Sequence, residues 1–300
     1  MDKFPDGTHV RLRSRVRRAS YLHADEDGVG VSLRPLGREP TMNAVWRVHR
    51  VLRDGIDYVL LHGAAYGRYL ALSPGEEEPA GPDRGVPAIQ RGYDARDLDA
   101  VMWRPVAVAG ANSGGYVRMR HVYNGNLRAN GRFRPWNTRV TVDQYFGTRS
   151  TMRHWSVEVV PPRQGPLPAL PLPTGQKPGG RSGLLQRRTK PETDRRRMIR
   201  YLRSDDPRNF GAAGLPAFPF YGRSVFNLRF QVGNRANPGD VFNTIMCVKA
   251  GLYGRLTPLV TDLPRIEERM DIVVFTAGSP GEDFAIFLVI SCWQMFNPRD

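Results

Sequence analysis

The chain has 300 residues, of which 40% are hydrophobic and 24% charged, and its formal net charge is +15. That length suits one large or two ordinary domains, each able to bury its own core. No apolar run of about 18 residues occurs and MDKFPDGTHVRLRSRVRR lacks an apolar signal core, so neither a membrane span nor secretion is expected and the location is expected to be cytoplasmic or nuclear.

The first half is written in threes. Alternating runs HVRLRS (9–14), DYVLLHG (57–63) and YVRMRHV (116–122) read as strands, because side chains alternate between two faces along a β-strand. Each is followed by a short phrase: ASYLHAD (19–25), YGRYLAL (66–72) and GNLRANG (125–131). A third strand candidate comes next, at VGVSL (29–33), VPAIQRG (86–92) and RVTVD (139–143). A tryptophan among alternating apolar residues then closes each unit, in NAVWRVH (43–49), AVMWRPVAV (100–108) and RHWSVEVV (153–160). Turn signals such as DEDG, SPGEEE and ANGRF separate the runs.

Three units of about four strands over about 50 residues predict a β-trefoil, in which a barrel closed by a hairpin cap leaves no open sheet edge. One unit cannot bury its own apolar face. Leu22, Leu70, Leu127, Trp46, Trp103 and Trp155 are therefore expected as equivalent core residues. The acidic DEDGVG (25–30) lacks the spaced acids and terminal Glu of a calcium loop and is read as a hairpin turn. His62 and His121, on equivalent strands, are read as making a repeated structural hydrogen bond.

Residues 1–160 carry 24 basic and 17 acidic groups, 161–196 carry 8 and 2, and 197–300 carry 12 and 10. The short middle segment, PPRQGPLPALPLPTGQKPGGRSGLLQRRTKPETDRRR, is dense in Pro and Gly, which neither helix nor sheet can use. Residues 161–195 are assigned as a linker, a spacer first, with an SH3 or WW ligand and a basic import or anionic-surface patch as alternatives.

Beyond it, RRMIRYLRSD (196–205) and AFPFYGRS (217–224) read as strands. VFNLRFQVGNR (225–235) has Val225, Leu228 and Val232 at helical spacing, although a continued strand is also allowed. NTIMCVKAG, TPLVTDLP and MDIVVFTAG supply three further strands. Together these predict an α+β, ubiquitin-like β-grasp domain at 196–278, followed by an atypical apolar tail at 279–300. Cys247 and Cys292 lie among apolar neighbours with no CxxC pair, so neither a disulfide framework nor a zinc site is expected.

The motifs GTHVRLRSRV, YLHADEDGVGVSL, MNAVWRVH, YGRYLAL, HVYNGNLRANGRFRPWN and STMRHWSVEVV resemble a plant family catalogued as a domain of unknown function (five-six-nine). That family stands beside the fascin-like, actin-crosslinking trefoils, which carry a Gly-x-Tyr-Leu phrase like the one in YGRYLAL. IMCVKAGLYGRLTPLVTDLP and MDIVVFTAG resemble the ubiquitin-like domain often attached to it. Ricin-like lectins instead place Gln two residues before Trp, where this chain has Ala44, Val101 and Arg153.

No nucleophile elbow, P-loop, His-Glu-x-x-His or dinucleotide fingerprint occurs, so a non-enzymatic binding or scaffold protein without cofactor or metal is expected. The resemblance implies an actin filament as partner, with a glycan, or a protein docking on the β-grasp domain, as alternatives. Nucleic acid is not expected, because the basic residues alternate along strands without a known motif. Arg11, Arg13, Arg118 and Arg120 are the expected outward contacts, and Tyr66 or Tyr123 those of a glycan.

Overall fold

The computed structural model describes residues 2–37, 41–75, 85–109, 115–134, 136–143, 150–161, 169–172, 196–203, 215–236, 238–239 and 241–276. The expected tail, Cys292 and most of the linker lie outside the described residues. The two halves form separate sheets, one of twelve strands and one of five.

Unit one holds β1 (His9–Ser14), β2 (Ser20–Ala24), β3 (Val31–Pro35) and β4 (Trp46–Arg53). Unit two holds β5 (Ile56–Gly63), β6 (Tyr69–Leu72), β7 (Val86–Arg91) and β8 (Trp103–Ala107). Unit three holds β9 (Val117–His121), β10 (Asn126–Ala129), β11 (Val140–Asp143) and β12 (Trp155–Val160). The first and last strand of each unit make the barrel. It closes where β12 pairs with β1, from His9 opposite Val160 to Ser14 opposite Trp155. The β2–β3, β6–β7 and β10–β11 hairpins form the cap, bridged by Thr141–Pro87, Gly30–Ile89 and Ser32–Arg139. This is a β-trefoil.

The repeated phrases meet in its centre. Leu22, Leu70, Leu127, Trp46, Trp103 and Trp155 are all fully buried in one cluster. Each indole N–H donates to the backbone carbonyl of its own unit's leucine: Trp46 to Leu22 at 3.1 Å, Trp103 to Leu70 at 3.0 Å and Trp155 to Leu127 at 3.0 Å. A buried indole donor left unpaired would cost about 1–3 kcal/mol, so the pairing of Leu and Trp is a requirement of burial.

The second sheet runs in the order β14–β13–β17–β15–β16. Its strands are β13 (Arg196–Arg203), β14 (Ala217–Tyr221), β15 (Thr244–Lys249), β16 (Leu256–Pro258) and β17 (Met270–Thr276). β13 and β17 are parallel and the remaining pairs antiparallel, the ubiquitin-like β-grasp arrangement. Residues Val225–Ala236 form the helix α1 and bury Val225, Leu228 and Val232. Ser224 decides this ambiguous segment: its Oγ accepts the Asn227 N–H at 3.2 Å, capping a helix start as a serine does. The strand expected through TPLVTDLP is shorter than its sequence implies. Its ladder ends at Pro258, which has no N–H to donate, and Leu259 and Leu263 instead donate singly to Met246 and Arg223.

Candidate functional site

The opening strand of each unit meets that unit's Trp-bearing strand in one register, with Val10 opposite Trp46, Val59 opposite Trp103 and Val117 opposite Trp155. Three residues on, Arg13, His62 and Arg120 are therefore equivalent, and they pair with Tyr21, Tyr69 and Asn126. His62 is thus not the counterpart of His121, correcting the expected repeated bond: His62 Nδ1 meets Thr257 Oγ1 at 3.1 Å, whereas His121 Nε2 meets the Ala100 carbonyl at 3.0 Å.

Unit two turns this outer surface toward the ubiquitin-like domain. After β5, the loop HGAAYGR is closed by Gly67 N–H to Gly63 O at 2.7 Å and Gly63 N–H to Arg68 O at 2.8 Å. Ala64, Ala65 and Tyr66 form a pad with Met42, Val45 and Val160, against which Val260 packs. Gly67 has φ +68°, and a Cβ there would lie 3.1 Å from Thr257 Oγ1 and from Val248 Cγ1, so both conformation and close approach call for glycine. Tyr69 Oη accepts the Arg255 N–H at 2.9 Å. Tyr93 pairs through its backbone with Ala250 and Tyr253, both at 2.9 Å, and Asp94 accepts the Leu252 N–H at 2.7 Å. Ion pairs rim the seam: Arg255–Asp6 at 2.9 Å, Arg68–Glu268 at 2.8 Å and Arg265–Glu26 at 3.3 Å.

Around the buried Arg47, the histidines of this seam are held neutral. Burial and the positive Arg47 push His9 down to about 3, and burial with Arg255 and Arg47 pushes His49 down to about 4. Burial, followed by Arg47, holds His62 well below the ordinary imidazole value. His62 stacks on Tyr69, with ring centroids 5.2 Å apart, as a neutral aromatic. A cavity of about 480 Å³ opens beside the seam, walled by Tyr66, Arg68, Asp94, Arg200, Lys249 and Glu268. Its arginines are already engaged, Arg68 by Glu268 and Arg200 by Asp271 in a two-pronged pair at 2.7 and 2.6 Å.

Of the expected contacts, Tyr66 and Arg11 are corrected. Tyr66 is 3% exposed and its Oη accepts from Asn43 Nδ2 at 3.1 Å, because the ubiquitin-like domain covers its loop. Arg11 is 3% exposed, although strand alternation points it outward; it lies beside Tyr21 and Glu158. Arg13 is half-buried and paired with Glu158 at 2.8 Å. Arg120 is exposed and bonded to Asn124, and Arg118 is partly exposed on the same face of β9. Arg104 stands directly opposite Arg120 across the β8–β9 ladder, and among the described residues no carboxylate pairs with Arg104, Arg118 or Arg120. Tyr123, 54% exposed, lies against His121 with ring centroids 5.3 Å apart.

The positions two residues before each tryptophan are closed. Ala44 and Val101 are buried, and the buried Arg153 donates to Asp143 at 2.9 Å. Asp27 Oδ1 accepts the Val29 and Gly30 N–H groups at 2.8 and 2.7 Å, making DEDGVG a turn held by its own aspartate. Among the described residues no cluster of three His, Cys, Asp or Glu side chains is placed to hold a metal, and no helix is long and apolar enough to cross a membrane.

The docking residues were not found from sequence. Their signal was a departure from the repeat, His62 where the other units carry Arg, and it becomes visible only once the strand register is fixed.

Similarity to solved structures is distant. The designed threefold protein ThreeFoil is 20% identical at a TM-score of 0.37, over 51% of this chain and 98% of its own. A ricin B-like lectin from Macrolepiota procera, solved with lactose, is 16% identical at 0.39, over 51% and 96%. An endo-β-galactosidase from Clostridium perfringens is 19% identical at 0.39, over 51% of this chain but only 32% of its own length. No curated protein matches the chain. Residues 1–158 match the beta-trefoil domain of unknown function (DUF569), and residues 195–275 match the DUF569-associated ubiquitin-like domain. Matched over more than half its length by the first of these, and by the second beyond it, the chain belongs to the DUF569 beta-trefoil family.

Proposed function

We propose that the protein is a non-enzymatic cytoplasmic or nuclear scaffold whose trefoil binds an anionic macromolecular surface through unit three, with its unit-two side given over to the ubiquitin-like domain. The observation that supports this is the placement of Arg104 directly opposite Arg120, with Arg118 beside them. Like charges opposite each other on adjacent strands destabilise a sheet, and an incoming anion would relieve that repulsion. An acidic filament of the actin type is the first partner, by the likeness of YGRYLAL to the fascin-like phrase.

Cosedimentation of the full-length protein with actin filaments tests the reading. Saturable pelleting is expected, weakening as salt rises because exposed charges are screened beyond about 8 Å at physiological ionic strength. Arg118→Glu with Arg120→Glu should abolish it. Pelleting unchanged by that pair, or none at any salt, overturns the filament reading. The exposed Tyr123 beside this face favours a second reading, a glycan stacked on the phenol ring; Tyr123→Ala would then remove glycan-array binding while the arginine variant keeps it.

A further inference from the structure

The β10–β11 hairpin carries a feature that the scaffold reading does not use. Its loop, NGRFRPWNTR (130–139), exposes Phe133 and Trp136 at 78% each, the most exposed of the large apolar side chains among the described residues. Every other described tryptophan is fully buried with its indole N–H bonded. The loop is held in this form. Asn137 N–H returns to Arg134 O at 2.9 Å, Asn130 N–H donates to Arg139 O at 3.1 Å, and Leu33 N–H in the neighbouring hairpin donates to Thr138 O at 2.8 Å. Arg17 clamps the Asn137 carbonyl at 3.1 Å, and Arg139 N–H donates to Asn137 Oδ1 at 3.0 Å. Gly131 has φ +94°, and a Cβ there would lie 2.4 Å from Asn137 O, so the two strands of the loop meet too closely for any other residue.

The same loop carries Arg132, Arg134 and Arg139, all exposed, and the half-buried Arg17 that clamps Asn137 is followed in the chain by the exposed Arg18. Arg132 reaches Thr151 Oγ1 at 3.2 Å and lies 5.3 Å from the Phe133 ring centroid. Among the described residues none of these five arginines pairs with a carboxylate. A held turn that exposes two apolar rings among arginines of the same loop has the two components of interfacial binding, apolar burial and attraction to anionic headgroups. The indole and phenyl rings are both largely exposed, which suits insertion into a soft interface. Stacking of nucleic-acid bases would call for a groove that tracks the backbone.

We infer that this hairpin is a docking point for an anionic lipid surface, with Phe133 and Trp136 as the inserted anchors and the arginines on the headgroups. Because the loop is already fixed, little ordering is lost on docking.

The test is cosedimentation of the full-length protein with vesicles of phosphatidylcholine alone and of phosphatidylcholine with phosphatidylserine. Binding is expected only with phosphatidylserine. Phe133→Ser with Trp136→Ser should weaken it at least about tenfold, and Arg132→Ala and Arg134→Ala about fivefold each. Both rings are exposed, so the urea midpoint should not move. Brominated phosphatidylserine should quench the wild-type tryptophan emission, and Trp136→Phe should lose that quenching while still pelleting, a readout that survives if the double serine variant misfolds. Equal binding to both vesicles, no binding, or quenching that persists in Trp136→Phe overturns the inference. So does binding of polyuridylate through these residues without vesicle binding, which would reassign the hairpin to single-stranded nucleic acid.

Discussion

Unit two and its two sisters differ on the outside and agree on the inside. Leu22, Leu70 and Leu127 occupy one environment and make one bond to a tryptophan. On the neighbouring strand, opposite the residue that precedes each leucine, the equivalent position is Arg13 in unit one, His62 in unit two and Arg120 in unit three. Arg13 meets Glu158 and Arg120 meets Asn124 and solvent. His62 is fully buried against Thr257 of the second domain. An inner position answers to a threefold core, whereas an outer one answers to whatever covers it. With Arg47 and Arg255 already close, unit two can tolerate only a neutral group there.

The strongest way to break the inner half of this comparison is to remove an indole. Trp103→Ala should cost about 3–5 kcal/mol and also strip the Leu70 carbonyl of its donor. Trp46→Ala and Trp155→Ala should fall in the same span, because their bonds are the same. Urea unfolding followed by far-ultraviolet circular dichroism measures all three. One variant costing under about 1 kcal/mol would show that the units are not equivalent in energy, whatever their geometry.

This asymmetry also explains how far the sequence could be read. Strand period separates inward from outward residues, and so the six core positions were legible in the alternation around each YL phrase and each tryptophan. Period says nothing about what lies beyond an outward residue. Arg11 points away from the barrel and is nonetheless covered, and Tyr66 sits in a polar-looking loop that the second domain closes over. Both were expected as contacts for that reason. Gly67 was legible as part of a phrase, but its second role, admitting Thr257, depends on a residue 190 positions later. The α1 segment was ambiguous in its apolar spacing and was settled by the Ser224 cap.

The outer half of the comparison is tested by writing the sister residue into unit two. His62→Arg would bury an uncompensated charge beside Arg47 and Arg255, which costs about 3–5 kcal/mol while the domains stay docked. Undocking avoids that cost, so a larger radius of gyration and two separated thermal transitions are expected. A compact protein with one transition would mean that the seam can supply the arginine with a counter-charge.

Acid should act on the same seam more gradually. His9 and His49 have folded values of about 3 and about 4 against 6.5 unfolded, so between these limits the unfolded or undocked chain binds more protons. The stability they contribute is complete above about pH 6.5 and is lost as pH falls toward 4, by up to about 1.4 kcal/mol per histidine per pH unit. The radius of gyration followed from pH 7 to 4 should rise in the wild type and change little in His62→Arg, which is expected to be undocked from the start. His49→Phe, which cannot take up a proton, should flatten the wild-type curve; an unchanged slope would remove His49 from the account.

The smallest effect is expected at the rim. Arg68 and Glu268 are 2.8 Å apart, but the glutamate side chain is 57% exposed, and an exposed pair of this kind is worth about 0–1 kcal/mol. Glu268→Ala should leave the domains docked, with a loss that shrinks further in high salt. Arg68 also donates to the Gln90 carbonyl, so the guanidinium keeps a partner when the carboxylate goes. If Glu268→Ala separated the domains as His62→Arg is expected to, the seam would be held by its charged rim, and the replacement of arginine by histidine in unit two would lose its explanation. A protein that stays compact instead leaves the buried contacts of His62, Tyr69 and the Ala64–Tyr66 pad as what holds the ubiquitin-like domain to one unit of the three.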